Sequence, residues 1–253
     1  MTRIAVICGT GMSAFSTTLE ATSKSTSISI FADSRWGSVP VSVMNHELGQ
    51  VFVIDRHHSN EEARTPPHEI EHRANVHAAA SSIPDLIVSV NSVGSMLESM
   101  PPGTVGIASD ILDLSIKPWT FHDEDAIHAD RTRPFDSRFS SVCEEVLTEM
   151  QGRSPKDLVV AQCIGPQFES PSEIDALERL GAHVVGMTLG PEQRLISETG
   201  IAHVSLPCSS NWAAGRTPGE PDAEINHAEV DEMASQMRDL VSSCIIALLE
   251  EIN

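Results

Sequence analysis

Along the 253-residue chain, short apolar and β-branched runs return at residues 3–7, 27–31, 39–43, 51–55, 85–90, 158–163, 183–187 and 201–207. Each has the length and composition of a buried strand. Segments with a three- to four-residue period lie between them. Residues 67–82 and 137–150 read as helices, the second with Val142, Val146 and Leu147 on one face. Residues 171–180 follow a helix-start pattern, Ser170-Pro171-Ser172-Glu173. From 223 to 250, Val230, Met233, Met237, Leu240, Val241, Cys244, Ile245, Leu248 and Leu249 recur at helical steps and predict one long amphipathic helix laid on a sheet. Strands alternating with helices place the chain in the α/β class. The Pro/Gly-rich places at 100–103 and 217–221 are short enough to be loops, so a single domain over 1–253 is expected. The polar stretch 119–139 has no period and stands out as a functional loop.

Composition narrows the function classes. With 40% hydrophobic and 21% charged residues the chain can bury a core. Its longest apolar run, 244–249, is far short of the ~20 residues that a membrane-spanning helix needs. The start, Met1-Thr2-Arg3-Ile4, lacks the long apolar region of a secretion signal, which predicts a cytoplasmic protein. Five scattered cysteines without CxxC spacing predict reduced thiols, mostly buried. Lys plus Arg number 16 against 36 Asp plus Glu, a formal charge of −20, which disfavours nucleic acid as a partner. A salty cytoplasm would also account for the acidic excess. The lysines are Lys24, Lys117 and Lys156, so an anionic substrate is expected to meet an arginine.

Three constellations carry candidate chemistry. Val6-Ile7-Cys8 runs into Gly9-Thr10-Gly11, a turn whose N–H groups and Thr10 hydroxyl suit a phosphate oxygen. The run Gly9-Thr10-Gly11-Met12-Ser13-Ala14 lacks the third glycine of a dinucleotide fingerprint, which argues against an NAD-dependent oxidoreductase. Asp55-Arg56-His57-His58 ends a strand, where open α/β sheets bind ligands, and combines a guanidinium fork with an imidazole. His68 and His72 stand at i, i+4 on the 67–82 helix, a spacing that metal ligands use, but without a His-Glu-x-x-His arrangement no metal is expected. The third is Cys163-Ile164-Gly165-Pro166-Gln167-Phe168-Glu169-Ser170-Pro171-Ser172-Glu173, followed by Gly186-Met187-Thr188-Leu189-Gly190-Pro191-Glu192. Taken alone, Glu169 also reads as a helix-entry carboxylate and Asn211 as a turn residue.

In order and spacing these segments resemble the trimeric purine nucleoside phosphorylase and methylthioadenosine phosphorylase family. There a Gly-Pro-x-Phe-Glu-Ser/Thr-Pro-x-Glu motif precedes a Gly-Met-Ser/Thr-x-x-Pro-Glu motif. Arg56-His57, His72-Arg73-Ala74-Asn75, Asn91-Ser92-Val93-Gly94-Ser95, Ser210-Asn211-Trp212-Ala213-Ala214-Gly215 and His227-Ala228-Glu229-Val230 extend the likeness over nearly the whole chain. The resemblance implies one α/β domain with a central mixed, partly barrel-like β-sheet flanked by helices. It implies phosphate-dependent cleavage of the N-glycosidic bond of a purine nucleoside, with inorganic phosphate as co-substrate, no cofactor or metal, and a homotrimer. Carried over residue by residue, Thr10, Arg56, His57, Ser92 and Thr188 hold phosphate. Met187 and His227 line the ribose, and His128, in a His-x-x-x-x-x-Pro-Phe arrangement, is lent by the neighbouring subunit. Phe168, Glu169 and Asn211 read the purine, with Asn211 and His57 as the catalytic pair.

Relatives acting on adenine nucleosides carry aspartate where Asn211 stands and another near Ala213, so the resemblance favours 6-oxopurine nucleosides: inosine, guanosine or 5′-methylthioinosine. Complementarity of a buried polar edge supplies the discrimination. The alternatives are a methylthioadenosine or adenosine phosphorylase and a non-catalytic nucleoside-binding homologue. A hydrolytic nucleosidase fits less well, because Arg56, His57 and Thr188 make sense as phosphate donors. After Arg56-His57, the family's glycine and second histidine give way to His58-Ser59-Asn60-Glu61-Glu62-Ala63-Arg64, a reshaped phosphate-side loop.

Overall fold

The computed structural model describes residues 1–12, 14–23, 26–58 and 63–253. Ser13 of the glycine-rich run, Lys24 and residues 59–62 of the reshaped loop lie outside the described residues. In chain order the elements are β1 (Thr2–Cys8), α1 (Phe15–Ser23), β2 (Thr26–Ser34), β3 (Gly37–His46), β4 (Gly49–Asp55), α2 (His72–Ser81), β5 (Leu86–Ser95), β6 (Thr104–Val105) and β7 (Ala108–Asp113). There follow α3 (Ser137–Gln151), β8 (Leu158–Gln162), α4 (Pro171–Arg179), β9 (Val184–Gly186), α5 (Leu189–Thr199), β10 (Ala202–Trp212), α6 (His227–Gln236) and α7 (Arg238–Ile252).

The strands join one mixed sheet in the order β2-β3-β4-β1-β5-β9-β8-β7, with β10 beside β5 and β6. Strands buried on both faces read as continuous apolar runs, and side-chain alternation sends successive residues to opposite layers. Ile4, Val6 and Cys8 of β1 pack with Phe15, Leu147, Val241, Ile245 and Leu248 on the face covered by α1, α3 and α7. Ala5 and Ile7 pack with Val76, Ala79, Leu195 and Ile196 on the face covered by α2 and α5. No helix among the described residues is long and apolar enough to cross a membrane.

Several expectations are corrected. The predicted 67–82 helix is broken: Pro67–Glu69 is a 3-10 turn and α2 starts at His72, so His68 and His72 share no helix face. The predicted 223–250 helix is two helices, separated at Met237 with φ −90° and ψ 1°. Helices α1 and α5 and strands β6 and β7 were not anticipated, and β5 and β10 run five residues past their predicted ends. The Ser170 cap does form: its hydroxyl accepts from Glu173 N–H while the Glu173 carboxylate accepts from Ser170 N–H.

The arrangement around β5 creates the cavity described below. One edge of β5 pairs with β10 along its length. On the other edge, β1 pairs in parallel with Leu86–Ser89, whereas β9 pairs in the opposite sense with Gly94 and Ser95. Strands β1 and β9 therefore approach each other end to end, and residues 90–93 have no ladder partner on that side. The Gly9-Thr10-Gly11 turn leaves β1 at this gap, and Met187-Thr188 enters it from β9.

Candidate active site

Over the gap lies a cavity of about 270 Å³ whose wall includes Thr10, Arg56, His57, Ser92, Phe168, Glu169, Met187, Thr188, Asn211 and His227. Ten of the eleven residues singled out from the sequence thus share one wall. The eleventh, His128, is exposed on the irregular segment before α3 and does not line the cavity. A larger groove of about 840 Å³ runs beside α3 and α5 and contains none of the eleven.

At one end the guanidinium of Arg56 is 2% exposed. A buried cation needs a counter-charge, and Glu192, 0% exposed in the first turn of α5, supplies it. Arg56 Nε donates to Glu192 Oε1 at 2.5 Å and Nη2 to Oε2 at 3.3 Å. Nη2 also donates to the carbonyls of Ile7 and Val90, both at 2.9 Å, which pins the side chain across the sheet gap. Nη1 faces Gly9, where an added Cβ would stand 2.4 Å from it, so this glycine is needed for the close approach.

His57 is held by its own backbone and ring. Its N–H donates to Asp55 Oδ1 at 2.9 Å and its Nδ1 to the Thr65 carbonyl at 2.8 Å. Burial, then the guanidiniums of Arg56 and Arg64, pushes its pKa down to about 4. His58 takes a positive φ of 48° and bonds Asn75 Oδ1 through Nε2 at 2.7 Å. Backbone strain of this kind gathers at functional sites.

The two threonines are aimed by neighbours that the sequence reading did not assign. Asn91 Nδ2 donates to Thr188 Oγ1 at 2.9 Å, and Arg64 Nη2 to Thr10 Oγ1 at 2.6 Å. Each hydroxyl therefore accepts from the protein and keeps its own hydrogen to donate. Arg64 faces Asp231 at 3.5 Å, and Asp231 also accepts from Gly11 N–H at 2.7 Å.

The other end is built by β10 and the segment before α4. The ladder skips Ser210 between Ser209 and Asn211, an irregularity of the bulge type that re-aims side chains beside active sites. Asn211 Nδ2 donates to the Trp212 carbonyl at 2.7 Å and its Oδ1 accepts from Ser210 at 3.0 Å, leaving one N–H and one lone pair for a ligand. Because Ser170 caps α4, Glu169 is not the cap and turns to the cavity. Burial is the main cause that pushes its carboxyl up. Phe168 is 37% exposed at the rim, and Gly165 makes room for Met187, whose Sδ would lie 2.5 Å from an added Cβ.

Glu192, Asn91, Ser210, Arg64 and Asp231 are the site members missed from sequence. A buried Arg56 implies a buried carboxylate, and Glu192 lay inside a quoted motif, so that signal was present. Arg64 comes from a segment without periodicity, and Asp231 from the polar face of a predicted helix, where a carboxylate reads as solvated, so neither carried one.

The chain matches the model described as phosphorylase superfamily over residues 3–246. A probable S-methyl-5′-thioinosine phosphorylase of Methanothermobacter thermautotrophicus is 32% identical, over 85% of this chain and 75% of that protein. A probable 6-oxopurine nucleoside phosphorylase of Thermococcus kodakarensis is 29% identical, over 100% of this chain and 93% of that one. Methylthioadenosine phosphorylase from Schistosoma mansoni, solved with adenine, superposes with a TM-score of 0.83 at 18% identity, covering 100% of this chain and 92% of that one. At that identity the superposition speaks for the fold. Sequence kinship over almost the whole length, together with a mixed sheet of the same architecture, makes this chain a member of the phosphorylase superfamily, within its purine nucleoside and methylthioadenosine phosphorylase family.

Proposed function

We propose that the chain catalyses phosphate-dependent cleavage of the N-glycosidic bond of 6-oxopurine nucleosides, 5′-methylthioinosine included, giving free base and ribose or methylthioribose 1-phosphate. The carrying observation is one cavity with a ring of oxyanion donors at one end and a carboxylate with a carboxamide at the other.

In this reading phosphate sits over the gap beside β5, taken by the Thr10 and Thr188 hydroxyls, Arg56 Nη1, His57 and the backbone around Ser92. Its oxygen attacks C1′ as the bond to N9 breaks, through a ribosyl cation that the adjacent anion stabilises. Met187 lies against the sugar. Phe168 stacks on the base, Glu169 accepts from N1–H, and Asn211 meets N7 and O6. Its one remaining N–H and one remaining lone pair suit a 6-oxopurine protonated at N7. Positioning and exclusion of water supply the rest of the acceleration. No cofactor or metal takes part.

The names of the two relatives, one a methylthioinosine and one a 6-oxopurine enzyme, favour the 6-oxo class. At the 5′ end His227 suits a hydroxyl, while Ile225 and Val230 on the same wall suit a thioether. We assign the chain one catalytic domain and a place in the cytoplasm. We also assign it a homotrimeric state, in which His128 of one subunit reaches the next. Ile127, beside His128, is an exposed apolar side chain that such a subunit contact would cover.

The test is base release from inosine, guanosine, methylthioinosine, adenosine and methylthioadenosine, each with and without phosphate. Phosphate-dependent release from the three 6-oxo nucleosides is expected. Equal turnover of the 6-amino pair would instead favour a methylthioadenosine phosphorylase, and no release from any would favour a nucleoside-binding role.

A further inference from the structure

The phosphate end carries less positive charge than its arginines suggest. Glu192 neutralises Arg56, Asp231 faces Arg64 at 3.5 Å, and the whole chain has a formal charge of −20. Recognition of a dianion then falls on hydrogen bonds. Thr10, Thr188 and Arg56 Nη1 all offer hydrogens. His57 differs. Its Nδ1 is bonded to a carbonyl, which only accepts, so the ring hydrogen sits on Nδ1 and Nε2 presents a lone pair. Nε2 lies on the Gly9 side, 3.2 Å from where a Cβ on Gly9 would stand, the same place that Arg56 Nη1 approaches. The ring of donors thus contains one acceptor.

We propose that the site selects an oxyanion that carries its own hydrogen, with the P–OH of hydrogen phosphate donating to His57 Nε2. The proposal rests on the phosphorolysis reading and refines it. Phosphate and arsenate bear such a hydrogen near neutrality, and sulfate does not. A sulfate oxygen would meet the ring lone pair to lone pair unless His57 took up a proton.

The charged and titratable groups around this ring work against that uptake. Arg56 precedes it on β4, Arg64 approaches from the following loop, and neutral His72 lies on α2. Asp55 favours the charged ring, but its Oδ1 is turned to the His57 N–H. Glu192 of α5 is engaged by Arg56, and His227 of α6 and Glu169 line the cavity farther round. Burial outweighs the Thr65 carbonyl and Asp55 and holds the ring at about 4.

The same hydrogen balances the reaction. A phosphate oxygen forms the bond to C1′, and the C1′–N9 pair leaves with the purine. The ester loses the hydrogen of hydrogen phosphate to solvent as it becomes the dianion, with His57 Nε2 acting as its hydrogen-bond acceptor and not as its base. The purine takes one proton up from solvent at N7, so none is gained or lost overall.

Calorimetric titration of the wild-type protein with phosphate, arsenate and sulfate, in buffers of different ionisation enthalpy, tests the idea. At about pH 8, arsenate should bind within a few-fold of phosphate and sulfate roughly 10- to 100-fold more weakly, the range of one hydrogen bond to a charged group. Sulfate should gain affinity as pH falls and take up a proton on binding, which hydrogen phosphate should not. His57→Gln, whose amide offers an N–H, should narrow the gap between the two anions. Sulfate binding as tightly as phosphate at that pH without proton uptake, or a gap unchanged in His57→Gln, overturns the selection. Failure of phosphate itself to bind overturns the phosphorolysis reading instead.

Discussion

Ser92 and Ser210 share a hydrogen bond of 2.6 Å between β5 and β10, and through it the two ends of the cavity are joined. Ser210 also donates to Asn211 Oδ1 at 3.0 Å. With the Ser210 hydrogen given to Asn211, Ser92 donates to Ser210, so in the proposed reading the strand segment beside the phosphate and the carboxamide that meets the purine belong to one chain of hydrogen bonds. Ser210→Ala should lower kcat/KM for inosine about 3- to 10-fold, the worth of one such bond. It should also raise KM for phosphate, although Ser210 is placed at the purine end. Initial rates with each substrate varied in turn check this.

Glu192→Gln leaves the Arg56 charge buried without its counter-ion. Breaking a buried pair from one side costs about 3–5 kcal/mol. Urea unfolding should show a loss of that size, with KM for phosphate altered because the guanidinium fork loses its clamp. A loss within ~0.5 kcal/mol would mean that water hydrates the guanidinium in place of the carboxylate.

Acid should destabilise the protein before its carboxylates titrate. Burial is the main cause that holds His57 down at about 4 and His203 at about 3, against about 6.5 in an unfolded chain. Between those values the unfolded state binds more protons, so stability is complete above about pH 6.5 and falls as pH drops toward 4. His57 alone accounts for roughly 3 kcal/mol across that window. Glu169, whose pKa is raised, works the opposite way and loses stability as pH rises. Denaturant midpoints across the window should fall with pH, and His57→Gln should flatten the slope.

If His128 serves the neighbouring site, His128→Ala should lower kcat/KM roughly 10-fold while leaving the midpoint of unfolding within ~0.5 kcal/mol of wild type, as an exposed side chain predicts. Refolded mixtures of His128→Ala with an inactive Arg56→Ala chain should recover activity that neither has alone. No recovery in mixtures shown to contain hybrid oligomers counts against the shared site.

The sheet was legible where strands run through the core, since 4–8, 51–54 and 158–161 are uninterrupted apolar runs. It was illegible where strands reach the cavity. The second half of β5, Asn91-Ser92-Val93-Gly94-Ser95, and the Ser209-Ser210-Asn211 end of β10 are polar because they face ligand or one another, and polarity reads as loop. Helix α5 was hidden by Gly190-Pro191 in its first turn, a place where proline is tolerated. Its arrival is what brings Glu192 to Arg56. The ten cavity residues were found through motif order, but their aiming partners Asn91, Arg64 and Asp231 depend on contacts between distant segments.

The floor of the cavity is the bare edge of β5, where β1 and β9 stop short of meeting and Arg56 fastens onto the Val90 carbonyl. Main-chain atoms are common to every residue type, so point substitution cannot delete that floor. Heritable change can reach only the walls. The place where an anion can rest along this edge is therefore fixed by the fold, while the side chains that would hold it, Thr10, Arg56, His57 and Thr188, are as open to substitution as Glu169 and Asn211 at the other end.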